Sequence, residues 1–185
     1  MPEFRERYLR FSFGESWQVE KYDETDGCAK LQKAIDGTKA IDLVAIESTN
    51  SSVLYLIEIK DFRRFSIAER QEVQSGDLVF EIAQKVRDTL PGLIGAWRTS
   101  SQSHVWKPYV ERLLNPETEI RIVVWLELDP GSPNQNSRSL KTIGNELKKK
   151  LRWLTTKIIV VNSIYGHVPK GLNVASLSRN PPPPN

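Results

Sequence analysis

One cysteine, one methionine and two histidines are all that 185 residues offer of the side chains that build disulfides and soft-metal sites. Cys28 alone cannot close an internal disulfide. With no CxxC or Cys/His cluster around it there are no ligands for zinc, so a reducing, cytoplasmic setting is expected. No stretch approaches the roughly 18 apolar residues of a membrane span, and the opening MPEFRERYLRF lacks an apolar signal core. Neither membrane association nor secretion is expected. The chain also lacks a GxSxG elbow, a GxxxxGK[ST] phosphate loop and an HExxH helix, which removes serine hydrolases, P-loop NTPases and zincins. An excess of one charge is nearly missing too: 26 Lys and Arg against 23 Asp and Glu leave +3, with a pI near 9.0. That is compatible with a phosphate-rich partner but does not select one.

What is present is enough for one ordinary core, with 39% hydrophobic and 26% charged residues, and too little for two full domains. One domain over residues 1–180 is expected, followed by the Pro-rich tail 181–185, PPPPN, extended and without a fixed fold. Tyr8 to Phe13 and Trp17 to Tyr22 have a β-like pattern and lead into the acidic turn Asp23-Glu24-Thr25-Asp26-Gly27. Cys28 to Ile35 reads as a short helix closed by Gly37. Ile41 to Glu47 and Val53 to Lys60 read as a hairpin around Ser48 to Ser52. The longest helical periodicity runs from Asp77 to Trp97, with a kink expected at Pro91, which lacks the ladder N–H. A helix over Val105 to Leu114, a strand over Ile120 to Leu128, a loop from Asp129, a helix over Ser139 to Leu154 and a strand over Lys157 to Val161 complete the reading. Interleaved strands and helices make the class α/β, with a mixed central sheet flanked by helices.

LYLIEIKDFR, residues 54 to 63, carries the chemistry. Side chains alternate along a strand, so Val53, Tyr55, Ile57 and Ile59 share one face, and Leu54, Leu56, Glu58 and Lys60 the other. Both faces begin apolar, as in a central strand covered on both sides, where unpaired charge is costly. Pairing symmetric about Asn50 sets Asp42 opposite Glu58, roughly 4.5–5.5 Å away between Cβ atoms. Two carboxylates that close require a cation between them. Hard oxygen donors favour Mg²⁺ or Mn²⁺, and Lys60 adds a positive charge able to orient water or to stabilise charge on a phosphate.

Asp42, fifteen residues, then Glu58-Ile59-Lys60 resembles the PD-(D/E)xK nuclease superfamily of restriction enzymes, RecB-like exonucleases and Holliday-junction resolvases, over about the middle third of the chain. The resemblance implies a restriction-endonuclease-like core and a metal-dependent nuclease acting on nucleic acid, DNA ahead of RNA. It implies a metal held by Asp42, Glu58 and the carbonyl of Ile59, with Lys60 assisting the attack of water. Gln84 and Lys85 in EIAQKVRDTL are similar to the helix that follows the motif in RecB-like members, although Asp88 stands where an aromatic is usual. With Arg63, they are the expected substrate contacts. A further acid on the first helix would be Asp23, Glu24 or Glu20. The strand that should precede the Asp-bearing one would be either Cys28 to Ile35 or one of the N-terminal stretches. Cutting both strands of a duplex would call for a homodimer or a partner protein. The same fold could also serve as a catalytically silent or partner-dependent binding scaffold.

Other features have two readings. Asp61 suits a turn or a position behind the metal site. Arg63 and Arg64 suit phosphate contacts or a solvated turn. Lys148, Lys149 and Lys150 suit a DNA-backbone track or, better, the outer face of an amphipathic helix. Trp97, Trp106, Trp125 and Trp153 are expected in or at the edge of the core, with base stacking open to one at most.

Overall fold

The computed structural model describes residues 1–63, 76–128 and 133–177. The segment after Arg63, the loop from Asp129 and the Pro-rich tail therefore lie outside the described residues. The strands are β1 (Glu3–Glu6), β2 (Leu9–Phe13), β3 (Trp17–Lys21), β4 (Leu43–Glu47), β5 (Asn50–Asp61), β6 (Glu119–Glu127), β7 (Ile158–Val161) and β8 (Leu172–Ser176). The helices are α1 (Asp26–Ala34), α2 (Asp77–Thr99), α3 (Ser103–Leu114) and α4 (Pro133–Leu151).

The class is α/β with a mixed five-stranded sheet, in the order β3-β4-β5-β6-β7. Antiparallel pairing joins β3, β4 and β5, and parallel pairing joins β5, β6 and β7. A second, antiparallel sheet has the order β1-β2-β8. Strand alternation sorts the core into two layers. Leu54, Leu56, Ile122, Val124 and Leu126 pack against Ile82, Val86, Leu93, Tyr109 and Leu147 of the helices. Tyr55, Ile57, Ile59, Val123 and Trp125 pack against Leu9, Phe11, Phe13 and Leu172 of the small sheet. β5 is thus the two-sided buried strand its sequence describes, and its even-numbered residues face the helices.

The hairpin keeps the expected register. Leu43↔Ile57, Val44↔Leu56, Ala45↔Tyr55 and Ile46↔Leu54 are all symmetric about Asn50, and a register shift beside Glu47 brings it opposite Asn50. Pairing therefore continues closer to the turn than the five-residue loop anticipated. The β4 ladder begins at Leu43 rather than Ile41, because the Ile41 N–H donates to Thr89 Oγ1 of α2 at 3.1 Å instead.

Residues 28–35 are helical apart from Ile35, which caps the end of α1; Thr25 Oγ1 accepts from the Cys28 N–H at its start. The strand beside β4 is β3, from the N-terminal stretch, with α1 intervening in sequence. α2 passes through Pro91 as one continuous helix. Packing there is close, since a Cβ on Gly92 would fall 2.0 Å from the Tyr22 hydroxyl. The glycine admits Tyr22 under α2 and so anchors the turn carrying Asp23. No helix among the described residues is long and apolar enough to cross a membrane.

Candidate active site

Continuing the pairing of Leu43 with Ile57 by one residue brings Asp42 against Glu58, on the side of the sheet covered by α2. Three hydrogen bonds fix Asp42. Its carbonyl accepts from the Tyr22 N–H at 2.8 Å, its Oδ2 accepts from the Ile59 N–H at 2.5 Å, and the preceding amide is held by Thr89. Thr89 Oγ1 also donates to the Lys85 carbonyl at 2.8 Å. One hydroxyl thereby ties the strand start to the helix turn that carries Lys85.

A protein ammonium reaches both carboxylates. Lys85 Nζ donates to Glu58 Oε1 at 2.7 Å and lies 3.5 Å from Asp42 Oδ1. Lys60 Nζ lies 3.5 Å from the same Glu58 oxygen and donates to Glu81 Oε1 at 2.9 Å. The constellation is therefore Asp42, Glu58, Lys60, Glu81 and Lys85, two cations among three carboxylates. Glu58 is 0% exposed and its Oε2 has no hydrogen-bond partner among the described residues.

Burial pushes the Glu58 carboxyl up to about 8, with the Asp42 charge adding to it against the pull of Lys85 and Lys60. Burial likewise raises Asp42, opposed by Lys85 and the Ile59 amide. Lys85 would lose its proton more easily from burial alone, but the charges of Glu58 and Asp42 outweigh that and raise it. The ammonium is thus firmly protonated, while Glu58 gives up its proton reluctantly.

Of the three candidate acids Glu20, Asp23 and Glu24, Asp23 is the one electrostatically coupled to this cluster. Burial, reinforced by the Asp42 charge, raises its carboxyl to about 6, and its Oδ1 is buried without a partner. Glu24 instead pairs with Lys21 at 2.7 Å. Glu20 is raised by burial alone and influences Tyr109 rather than the Asp42 pair.

The remaining expected contacts have other partners. Gln84 Nε2 donates to the Gly37 carbonyl at 2.7 Å, bracing the loop before β4. Arg63 forks onto Asp61 at 2.7 and 2.6 Å and reaches Ser176 Oγ of β8 at 3.0 Å, on the far side of the sheet. Asp61 is thereby a buried ion-pair partner rather than part of the cluster. Glu81 was missed from the sequence. Its signal was available, since Glu81 and Lys85 are four apart and must share a helix face.

The donors suit a hard divalent cation: carboxylate oxygens, one of them buried and unpartnered, with no soft ligand nearby. Among the described residues no three His, Cys, Asp or Glu side chains converge closely enough to hold a metal by themselves. A six-oxygen shell on Asp42 and Glu58 would therefore be completed by backbone or water oxygens.

A cysteine-tRNA ligase of Neisseria meningitidis serogroup A / serotype 4A (strain DSM 15465 / Z2491) is 29% identical over 178 residues. The alignment covers 82% of this chain and 25% of the ligase, so the chain spans about a quarter of that relative's length. No family model and no solved structure matches the chain.

Proposed function

We propose that the protein is a metal-dependent nuclease of the PD-(D/E)xK type, with a restriction-endonuclease-like core, hydrolysing phosphodiester bonds in nucleic acid, DNA ahead of RNA. The observation that carries this reading is the buried pair Asp42 and Glu58, set face to face with an unpartnered Glu58 oxygen and with Lys60 two residues on. Pairs of carboxylates held so close are expensive unless used, and the residue types match what phosphoryl chemistry needs.

Asp42 and Glu58 would hold Mg²⁺ or Mn²⁺, with the Ile59 carbonyl as a third donor. The bound ion would lower the pKa of a water and offset charge on the phosphate. Lys60, steadied by Glu81, would orient the attacking water and lend positive charge as negative charge builds on the phosphoryl oxygens. Lys85 would release Glu58 as the ion arrives, and Glu58 would give up its proton on binding.

Lys85 also favours a second reading. A site already neutralised by its own ammonium is complete without metal, as a catalytically silent or partner-dependent binding scaffold would be. The ligase relative adds tRNA to the nucleic acids worth offering.

Cleavage of labelled single-stranded, duplex and branched DNA and of RNA, tRNA included, by wild type and Lys60→Ala with Mg²⁺, Mn²⁺ or EDTA tests the proposal. Metal-dependent cutting that drops about a hundredfold or more in the variant is expected. If nothing is cut, calorimetry with Mg²⁺ on wild type and Asp42→Ala decides the rest. Binding lost in the variant supports the silent scaffold, and no binding by either removes the metal site.

A further inference from the structure

α2 has a second working face. Glu81 and Lys85 point into the cluster, while their neighbours Phe80, Gln84 and Arg87 line a groove of about 240 Å³ closed on the other side by Lys150 and Trp153 at the end of α4. Trp153 was expected in the core or at its edge. It is instead 59% exposed, and Phe80 is 60% exposed, while Trp17, Trp106 and Trp125 are buried. Two large exposed aromatics thus face one small groove.

The charged side chains that line it are cations, of which Arg87 also pairs with Asp88 Oδ1 at 2.7 Å beside the groove. Arg87 and Lys150 line the groove, with no acidic side chain among its lining residues. Lys150 Nζ lies 5.7 Å over the Phe80 ring, so cation and aromatic already share the space. Flat apolar faces beside clustered cations complement a polyanion with unstacked planar groups. Single-stranded nucleic acid has that chemistry; a duplex keeps its bases stacked inside.

We propose that this groove receives an unpaired nucleobase of a single-stranded nucleic acid, stacked against Trp153 and Phe80, with Arg87 and Lys150 on the flanking phosphates. The choice of partner rests on the nuclease reading, and the strand would run from the groove to the neighbouring Lys85 and Lys60. Gln84, between the two faces, is committed to the Gly37 carbonyl and keeps the wall rigid.

Fluorescence anisotropy in EDTA isolates binding from cleavage. The probes are a short labelled oligothymidylate, an oligouridylate of equal length and a duplex, across a range of salt. Wild type should prefer the single strands, and Trp153→Ala and Phe80→Ala should each weaken them about tenfold. Arg87→Gln with Lys150→Gln should flatten the salt dependence by about one to two units of logarithmic slope. Both aromatics are exposed, so unchanged thermal unfolding of the variants confirms that folding is intact. Unaltered affinity in the aromatic variants, as a peptide-binding groove would give, overturns the proposal, as does absence of single-strand binding by wild type. If wild type cuts and the variants bind normally, the groove falls and the nuclease stands. If nothing is cut but the variants lose binding, the nuclease falls and the groove stands.

Discussion

Glu58 and Asp61 lie three residues apart on β5, 0% and 5% exposed, and their surroundings differ in one decisive way. Asp61 faces the small sheet, and Arg63 occupies both its oxygens with a planar fork while its own amide adds a third hydrogen bond. Glu58 faces the helices, shares one oxygen between two lysines, and keeps the other unpartnered. The first carboxylate is saturated by geometry that only a guanidinium offers. The second is held by flexible ammonium groups that can move. The Asp61 carboxylate is satisfied completely, whereas the Glu58 carboxylate retains capacity for a further partner.

Removing each cation separates the two cases most sharply. Lys85→Met leaves Asp42 and Glu58 facing each other, which should cost about 3–5 kcal/mol in urea unfolding with EDTA present. Millimolar Mg²⁺ should restore part of that loss, as a ligand of the native state must. A loss unaffected by Mg²⁺ would place Glu58 with Asp61 as a purely structural acid.

The acidity of Glu58 gives the next largest effect. Its carboxyl moves from an ordinary 4.5 to about 8 on folding, so between those values the native chain retains a proton that the unfolded chain has released. Stability contributed by the protonated form is complete below about 4.5 and lost as pH rises through about 8. Asp23, raised to about 6, acts in the same direction over a narrower range. Denaturation curves should show a decline on the order of 3 kcal/mol across this window. Glu58→Gln should flatten it, leaving the smaller Asp23 portion below about pH 6. A wild-type profile that rises from pH 5 to 8 would show Glu58 to be as well satisfied as Asp61.

Arg63→Ala strips buried Asp61 of its guanidinium and should also cost about 3–5 kcal/mol, so its contrast with Lys85→Met lies in the smallest response to metal rather than in stability. It should not respond to Mg²⁺, and its metal-dependent cleavage should match wild type.

How much of this could be read in the chain follows from the range of each signal. Strand alternation and a symmetric hairpin were enough to pair Asp42 with Glu58, because both depend on neighbours within about twenty residues. The demand for a cation was also legible. That Lys85 meets it was not, since this depends on how α2 lies across the sheet. Asp23 joins only because Tyr22 packs at Gly92, a contact that spans most of the distance to α2. Trp153 was placed in the core or at its edge because aromatic character favours burial, and only its position past the end of α4 leaves it exposed. β1 and β8 are short strands whose pairing with β2 supplies the order that their sequences lack.

The pairing of β2 with β8 also sets an order of events during synthesis. Phe11 and Phe13 are made more than a hundred and fifty residues before the strand that completes their sheet, Leu172–Ser176. Until then one side of the five-stranded sheet, Trp125 included, lacks part of its cover, whereas the helix-covered side can close once α4 is made. Between the synthesis of β6 and that of β8 the nascent chain therefore carries a sticky, half-clad face. Dependence on a holding chaperone should be concentrated on that face, and should end when residues 172–176 dock.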